Sequence, residues 1–562
     1  MKFKAAAIQY EPKFLDKTYN LGQLLFLTEK AAEEGARLIV LPEMCTSGYY
    51  FDNRGEIEAL AEEIPAGPTT SAFAALSKNH DCYIVAGIAE RDGTKLYNSS
   101  FLVGPEGFIG RYRKIHPFWS DCIWAKNGDE PMRVYTTPLG NIAILVCMDV
   151  SFPETVRVCK AMGADIICVP MNWYERLMPS GIWITRAYEN GVYFIAANRY
   201  GKEKTYIFGG ESCIINPCGE LLAVKKEGDC IVMGEIDSSL PGELPVSTRQ
   251  RQMYAFLQCN PYRWPGNATF NFNPNNRLPE GEVFKAGIAQ FVPEGKDNNL
   301  AIIKEIILKA AKQHVRYLVL PEFALTGEPG LSQNAVQKAA QIALDENDEL
   351  IQQLQKMAQD NQIHLVCGLV LAQDGSFYNA AVYIPPHGQC LFYKKSHLNE
   401  QDKLWADYGR DAPLIIDAPG ARLGILIGDE LQKCELPRLA ANHAADMIMA
   451  PSAVSKYRSG FAGSAAGENH WHLARIRANE NNSYVLFANS LKGSGIFGPD
   501  MFVNPRQETI IANDNLATME IDTRPIITRD DRSMGKVNKV REKPMLATRQ
   551  EFWYNTIFEQ TN

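Results

Sequence analysis

A thiol, an ammonium and a carboxylate in the first half of the chain each stand directly behind a strand-like segment. Cys147 ends the apolar run IAILV, Glu43 follows ARLIVLP, and Lys114 follows GFIGRYR. Runs rich in Val, Ile and Leu are the pattern of strands buried on both faces. In open α/β sheets the crevice beyond the carboxyl ends of such strands is where ligands bind. Pro153 opens the helical stretch ETVRVCKAMGA, so Cys147 lies where a strand ends and a helix is about to begin. Unpaired N–H groups and the partial positive charge of a helix start favour a thiolate there. Brought together, the three groups have complementary uses. The carboxylate can take the thiol proton and later return it to a leaving amine, and the ammonium can stabilise an oxyanion. Singly, each has a bland reading: a small buried hydrophobe, a turn cap and a solvated basic face.

The elements that position these groups occur twice. FKAAAIQYEP at Phe3 recurs as FKAGIAQFVP at Phe284, and RLIVLPEMCTSG recurs as RYLVLPEFALTG, with Glu43 opposite Glu322 (322 − 43 = 279). Asn98 lies opposite Asn379, Lys114 opposite Lys395 and His116 opposite His397, each at a shift of 281 (for example 395 − 114). Glu189 lies opposite Glu480 (480 − 189 = 291); the ten extra residues are an insertion near Ser452 to Gly467 that reads as a loop. This is one domain duplicated rather than a solenoid. The second copy keeps Glu322 and Lys395 but has Gly428 opposite Cys147 (428 − 147 = 281). Packing would be expected to need a side chain in both copies, whereas a nucleophile can be lost from one copy without losing the fold.

Each copy opens with an alternating strand and an amphipathic helix: Leu21, Leu24, Leu25 and Ala32 mark one face in the first, and Leu300, Ile303, Ile307 and Ala311 in the second. Strand–helix alternation with Val/Ile/Leu-rich strands predicts an α/β fold with buried sheets. Between the copies, Pro241 to Gly281 is rich in Pro, Asn and Arg, with aromatics such as Tyr254, Tyr262 and Trp264 to pin it down. It reads as a linker and packing arm. A length of 562 residues requires more than one core, and a net charge of −8 argues against nucleic acid or an anionic membrane as partner. No apolar run reaches the length of a membrane span. No signal peptide opens the chain, and 13 scattered cysteines without a CxxC pair fit a reducing, cytoplasmic setting. His470 and His472 form an HxH without further ligands, and the GxGxxG at Gly493, Gly495 and Gly498 precedes PDMFVNP rather than a helix. Neither motif carries a metal or a dinucleotide.

With these residues in view, the chain resembles the nitrilase superfamily of carbon–nitrogen hydrolases, twice over. LPE at Glu43, YRKIH at Lys114 and CMDVSFPE from Cys147 resemble the blocks around that family's Glu–Lys–Cys triad, and RAYENGVYFIAANRYG resembles a downstream block. The resemblance implies two tandem α-β-β-α sandwich domains, packed as an intramolecular pseudo-dimer that further copies of the chain can join. Residues 1–240 would be the catalytic domain, 241–282 the arm, and 283–562 a domain without the nucleophile. It also implies a cysteine-dependent amidase acting on a small-molecule amide, with Met148 N–H beside Lys114 at the oxyanion and no metal or organic cofactor. Asp121 stands where the family often has a second glutamate. Tyr49, Trp119, Asn172 and Trp173 are candidates for the substrate pocket. True nitrilases tend to follow the cysteine with Trp-Glu, and here Met148-Asp149 follows; a nitrile hydrolase is the alternative within the enzymes, and a non-catalytic binding or scaffold protein the alternative outside them. The second copy would be a structural pseudo-subunit, or would hold a regulatory ligand in its vacated crevice.

Overall fold

Alternation along the first strand of each copy decides what that strand faces. In Lys2–Gln9, Ala6 and Ile8 pack with Leu24, Phe73 and Leu76 of two helices, which leaves Ala5 and Ala7 for the opposite face. In Val283–Ala289 the same register puts Phe284, Ala286 and Ile288 among Leu423, Met447 and Leu486 of a second sheet. A strand apolar on both faces therefore sits between a helix layer and another sheet. The computed structural model describes residues 1–174, 180–225, 227–238, 251–263, 270, 276–330, 334–454, 470–491, 493–499, 507–511, 514–525 and 540–557. Contacts divide the chain into two units, one built on Met1–Pro245 with Gln550–Asn562 and the other on residues between Val246 and Arg549. The expected insertion near Ser452 to Gly467 lies almost wholly outside the described residues.

In the first unit one six-stranded sheet has the order Cys230–Asp237, Lys2–Gln9, Ala36–Val40, Tyr83–Asp92, Lys95–Gly104, Gly107–Arg113. The other has the order Leu221–Val224, Cys213–Ile215, Tyr193–Asn198, Ile166–Met171, Gly140–Ile144, Val134–Thr137. Three parallel strands form the centre of each sheet and antiparallel strands the flanks. Helices Lys17–Glu33 and Pro68–His80 cover the first sheet, and Pro153–Ala161 and Gly181–Asn190 go with the second. The second unit repeats this plan, with two six-stranded sheets and a helix layer of Lys296–Lys312 and Glu349–Asn361. The α-β-β-α sandwich expected from the sequence is thus present in each unit. The HxH falls at the start of the helix His470–Asn481, and Gly495 begins the short strand Gly495–Phe497.

Strand direction gathers the reactive groups. Ala36–Val40 is parallel to Tyr83–Asp92, and two successive antiparallel pairings then return Gly107–Arg113 to that same direction. The segments behind Val40 and Arg113, which carry Glu43 and Lys114, therefore leave one end of the sheet. A close backbone approach fixes the first of them. A Cβ on Gly87 would lie 2.7 Å from Glu43 Cα and 2.9 Å from the Pro42 carbonyl oxygen, and Gly368 meets Glu322 Cα in the same way in the second unit. Only glycine allows this approach. Gly87→Ala is expected to cost about 1–3 kcal/mol by overpacking. Gly22→Ala, with open space around an exposed position inside a helix, is expected to gain up to about 1 kcal/mol. Chemical denaturation of the two variants checks both signs.

Candidate active site

Cys147 follows the strand Gly140–Ile144 and opens a short 3-10 turn, Cys147–Ser151, ahead of the helix Pro153–Ala161. Its φ of 44° is in the left-handed region, a strained place for a side chain that is kept where the surroundings enforce it. Asp149 supplies much of that enforcement. Its Oδ2 accepts from Val146 N (3.1 Å) and Tyr112 Oη (2.9 Å), and its Oδ1 accepts from His116 N (3.0 Å) and faces His116 Nδ1 (2.8 Å). Arg186 holds the far side of the turn, donating from Nε to the Val150 carbonyl (2.8 Å) and pairing with Glu189 at 2.5 Å.

The structure brings Glu43, Lys114 and Asp121 together without access to solvent. Lys114 Nζ lies 2.8 Å from Glu43 Oε1 and 2.7 Å from Asp121 Oδ2, and all three side chains are buried. Asn98 Nδ2 bridges the two carboxylates at 2.7 Å and 3.1 Å, and Phe118 N donates to Asp121 Oδ2 at 2.8 Å. The shorter carboxylate thus reaches the lysine, because the 3-10 turn Asp121–Ile123 carries it inward. Sequence reasoning left Asn98 out of the site. Its signal was the recurrence of a buried strand asparagine at Asn379.

Of the pocket candidates, Asn172 lies at the centre. Its side chain donates to the Glu43 carbonyl (3.0 Å) and its backbone N–H lies against the Cys147 sulfur. The Tyr49 ring centre is 5.8 Å from Lys114 Nζ. Trp173 packs edge-on against Trp183 at 5.9 Å and donates from its backbone to Asn198, whereas Trp119 is 45% exposed and packs on Phe118. Met148 follows Cys147 in the same turn.

The family model for carbon–nitrogen hydrolases matches residues 4–245 and again residues 285–522. The chain belongs to the carbon–nitrogen hydrolase family. A nitrilase of Pyrococcus abyssi is 39% identical over 235 residues, 42% of this chain and 89% of that protein. The chloroplastic omega-amidase of Arabidopsis thaliana is 30% identical over 42% of this chain and 69% of its own. An amidase from Nesterenkonia sp. of known structure is 22% identical, with a TM-score of 0.40 over 45% of this chain and 95% of its own. Two domains of one hydrolase family therefore stand in tandem in this chain. Among the described residues no helix is long and apolar enough to cross a membrane.

Within this family fold the charges of the site act against one another. Burial pushes the Cys147 thiol well above its ordinary value, and the Glu43 carboxylate raises it further, while Lys114 and the Asn172 N–H pull it down. Burial thus opposes the thiolate expected from a helix start, and the helix itself begins only at Pro153. Burial also raises Glu43, against the pull of Lys114. Burial alone would lower Lys114, but Asp121 and Glu43 outweigh it and hold the ammonium well above its usual range.

In the second unit Lys395 keeps Asp402 at 2.6 Å and Glu322 at 3.4 Å, with Asn379 bridging. Gly428 has a φ of 50°, so the turn keeps its shape without the strained side chain. Glu322 Oε2 lies where a Cβ on Gly428 would stand, 2.6 Å away, and it accepts from Ala453 N at 2.8 Å. Ala453 is opposite Asn172 (453 − 172 = 281), so the N–H that faces sulfur in the first unit faces the carboxylate here. Asp429, opposite Met148, adds a third carboxylate 2.5 Å from Lys395.

Alkylation of Cys147 by iodoacetamide against pH tests the balance of charges. Glu43→Gln removes a charge that raises the thiol pKa, so its alkylation midpoint is expected about 1 pH unit or more below wild type. Lys114→Met removes a charge that lowers it, and its midpoint is expected to move the opposite way. Mass spectrometry of the Cys147 peptide gives the rates.

Proposed function

We propose that the chain is a cysteine-dependent amidase with one working site, carried by residues 1–240, while residues 283–562 form a domain that has lost the reaction. One observation carries this reading. Glu43 Oε1 is held by Lys114 and Asn98, whereas Glu43 Oε2, fully buried, has no partner among the described residues. A fixed carboxylate with a free oxygen beside a neutral buried thiol is a general base awaiting its proton.

In this reading Glu43 takes the Cys147 proton as the sulfur attacks the amide carbon. The carbonyl electrons move onto oxygen, where Lys114 and the Met148 N–H receive the negative charge. The tetrahedral adduct collapses, the C–N bond breaks, and Glu43 gives its proton to the departing ammonia or amine. Water, deprotonated by Glu43, then opens the thioester and returns the thiol. Asp121 and Asn98 touch no substrate; they keep Lys114 charged and Glu43 in place. The raised Glu43 pKa suits a group that must both take and return a proton near neutrality. Tyr49 and Asn172 would line the acyl side. Thirteen free cysteines accord with a reducing, cytoplasmic setting.

A nitrile hydrolase is the second reading, favoured by the likeness to the Pyrococcus protein named a nitrilase. Ammonia release from a panel of aliphatic and aryl amides and nitriles separates the two. Release from amides that vanishes in Cys147→Ala, falls about 10²–10⁴-fold in Glu43→Gln and persists in Glu322→Ala is the expected result. Release from nitriles alone would move the assignment to the second reading, and equal loss in Glu322→Ala would overturn the single site.

A further inference from the structure

The turn that carries the nucleophile is held by a second hydrogen-bonded line, and that line ends on a residue more than 400 positions away. Asp149 Oδ1 faces His116 Nδ1 at 2.8 Å, and His116 Nε2 faces Tyr554 Oη at 2.8 Å. A carboxylate only accepts, so Nδ1 carries the proton, and in the singly protonated ring Nε2 is then left to accept from the tyrosine hydroxyl. The His116 ring is stacked on Phe152 at 3.9 Å, which fixes its plane. Tyr554 is fully buried in the 3-10 segment Glu551–Ile557, which packs on the helix Pro153–Ala161 directly after the nucleophile turn. This segment belongs to the first unit, although the chain reaches it only after the whole second copy.

The second unit contains the same line, which makes the first one hard to dismiss as chance packing. Tyr254 Oη lies 2.7 Å from His397 Nε2, and His397 Nδ1 lies 2.8 Å from Ser396 Oγ. Ser396 in turn donates to Glu430 at 2.8 Å, and Glu430 holds the turn at Gly428 through Ile427 N. Both tyrosines follow a Thr-Arg-Gln triplet, at 248–250 and 548–550, a constant shift of 300 (554 − 254 = 300). The tyrosine after the first copy thus serves the second unit, and the tyrosine after the second copy serves the first.

We infer that Tyr554 is a positioning residue for Cys147, acting through His116 and Asp149, and that delivering it is a task of the copy that lacks a nucleophile. Its hydroxyl keeps His116 in the tautomer that donates to Asp149, and Asp149 keeps Cys147 in its left-handed conformation, with the sulfur against Asn172 N–H and near Lys114. Tyr254 does the same for a turn that holds no nucleophile, so it supplies the matched control.

The test compares Tyr554→Phe, Tyr254→Phe and His116→Asn in the full chain. The iodoacetamide rate at Cys147, kcat and KM for ammonia release, and the thermal midpoint are measured for each. Only the kinetic readout rests on the amidase reading; the alkylation rate tests the relay even if no amide is turned over. Tyr554→Phe is expected to lower both kcat and the Cys147 alkylation rate about 10-fold or more with KM unchanged, since small misplacements of a reacting group are costly. Tyr254→Phe is expected to leave both at wild-type values while losing a similar amount of thermal stability. His116→Asn should match Tyr554→Phe, and the double variant should be no worse than either single one. para-Aminophenylalanine at position 554, which donates from the same place, should restore the rate. An alkylation rate unchanged or raised in Tyr554→Phe, or equal effects of the two tyrosine variants, would overturn the inference. If Tyr554→Phe does not fold, His116→Asn set against Tyr254→Phe decides on the same criteria.

Discussion

One buried ammonium between two buried carboxylates is the constraint to which the rest of each unit answers. Taking Lys114, Glu43 and Asp121 out of water costs several kcal/mol per ion, and their attraction offsets this only when geometry and the remaining hydrogen bonds are complete. Asn98 and Phe118 N supply those bonds. Three separate pieces of chain must therefore end in register at one point. One strand of the sheet's parallel centre, Ala36–Val40, and one of its antiparallel flank, Gly107–Arg113, bring two of them there, the close approach at Gly87 sets the depth of the first, and a 3-10 turn returns Asp121 seven residues after the lysine. Burial, more than the charge of the cluster, pushes the thiol beside it above its ordinary range, with the Glu43 carboxylate adding to that push and Lys114 opposing it.

The two copies separate what the fold needs from what chemistry needs. The cluster of one lysine, two carboxylates and a bridging asparagine is present in both, down to the donor from Asn379. So is the arginine that caps the turn, Arg186 in one unit and Arg477 in the other, each paired with a glutamate three residues on. The side chain in the left-handed position is present in only one. Cysteine at such a φ carries a conformational penalty that glycine does not, so its loss relaxes the backbone while the charge network stays. A strained residue held by surroundings that survive without it accords with the role proposed for Cys147.

Much of this was legible in the chain. The duplication followed from recurring segments and the α/β layers from apolar runs with reactive residues placed just behind them, while the sandwich came with the resemblance to a known family. Asn98 was visible as a recurring position but not as a bridge, because a strand asparagine has no periodic signature that distinguishes a core hydrogen bond from a ligand. Asp121 was legible as a residue type but not as a reach, since reach depends on a 3-10 turn with no cap or glycine to announce it. The push of burial on the Cys147 thiol was not legible: it opposes the dipole of a helix start that lies six residues downstream, and burial is a property of the assembled layers rather than of any window. Tyr554 was the least legible of all, because its relation to Cys147 passes through two other side chains and across more than 400 residues.

The second crevice differs from the first in how its buried charges are partnered. Once Gly428 opens the space, Glu322 turns its outer oxygen toward it and takes the Ala453 N–H, where the first unit leaves Glu43 Oε2 without a partner. Asp429 places a carboxylate 2.5 Å from Lys395, at the position that Met148 holds in the first unit. The first change satisfies a buried carboxylate oxygen that the first unit leaves unpartnered, and the second adds one more carboxylate to a lysine whose counterpart in the first unit has two. The working site holds the opposite balance, with an orphaned oxygen, a strained cysteine and an ammonium with room for one more negative charge. Returning a thiol to position 428 would meet an occupied base and a neutralised lysine, so activity there would require changes at Asp429 and in the seating of Glu322 as well.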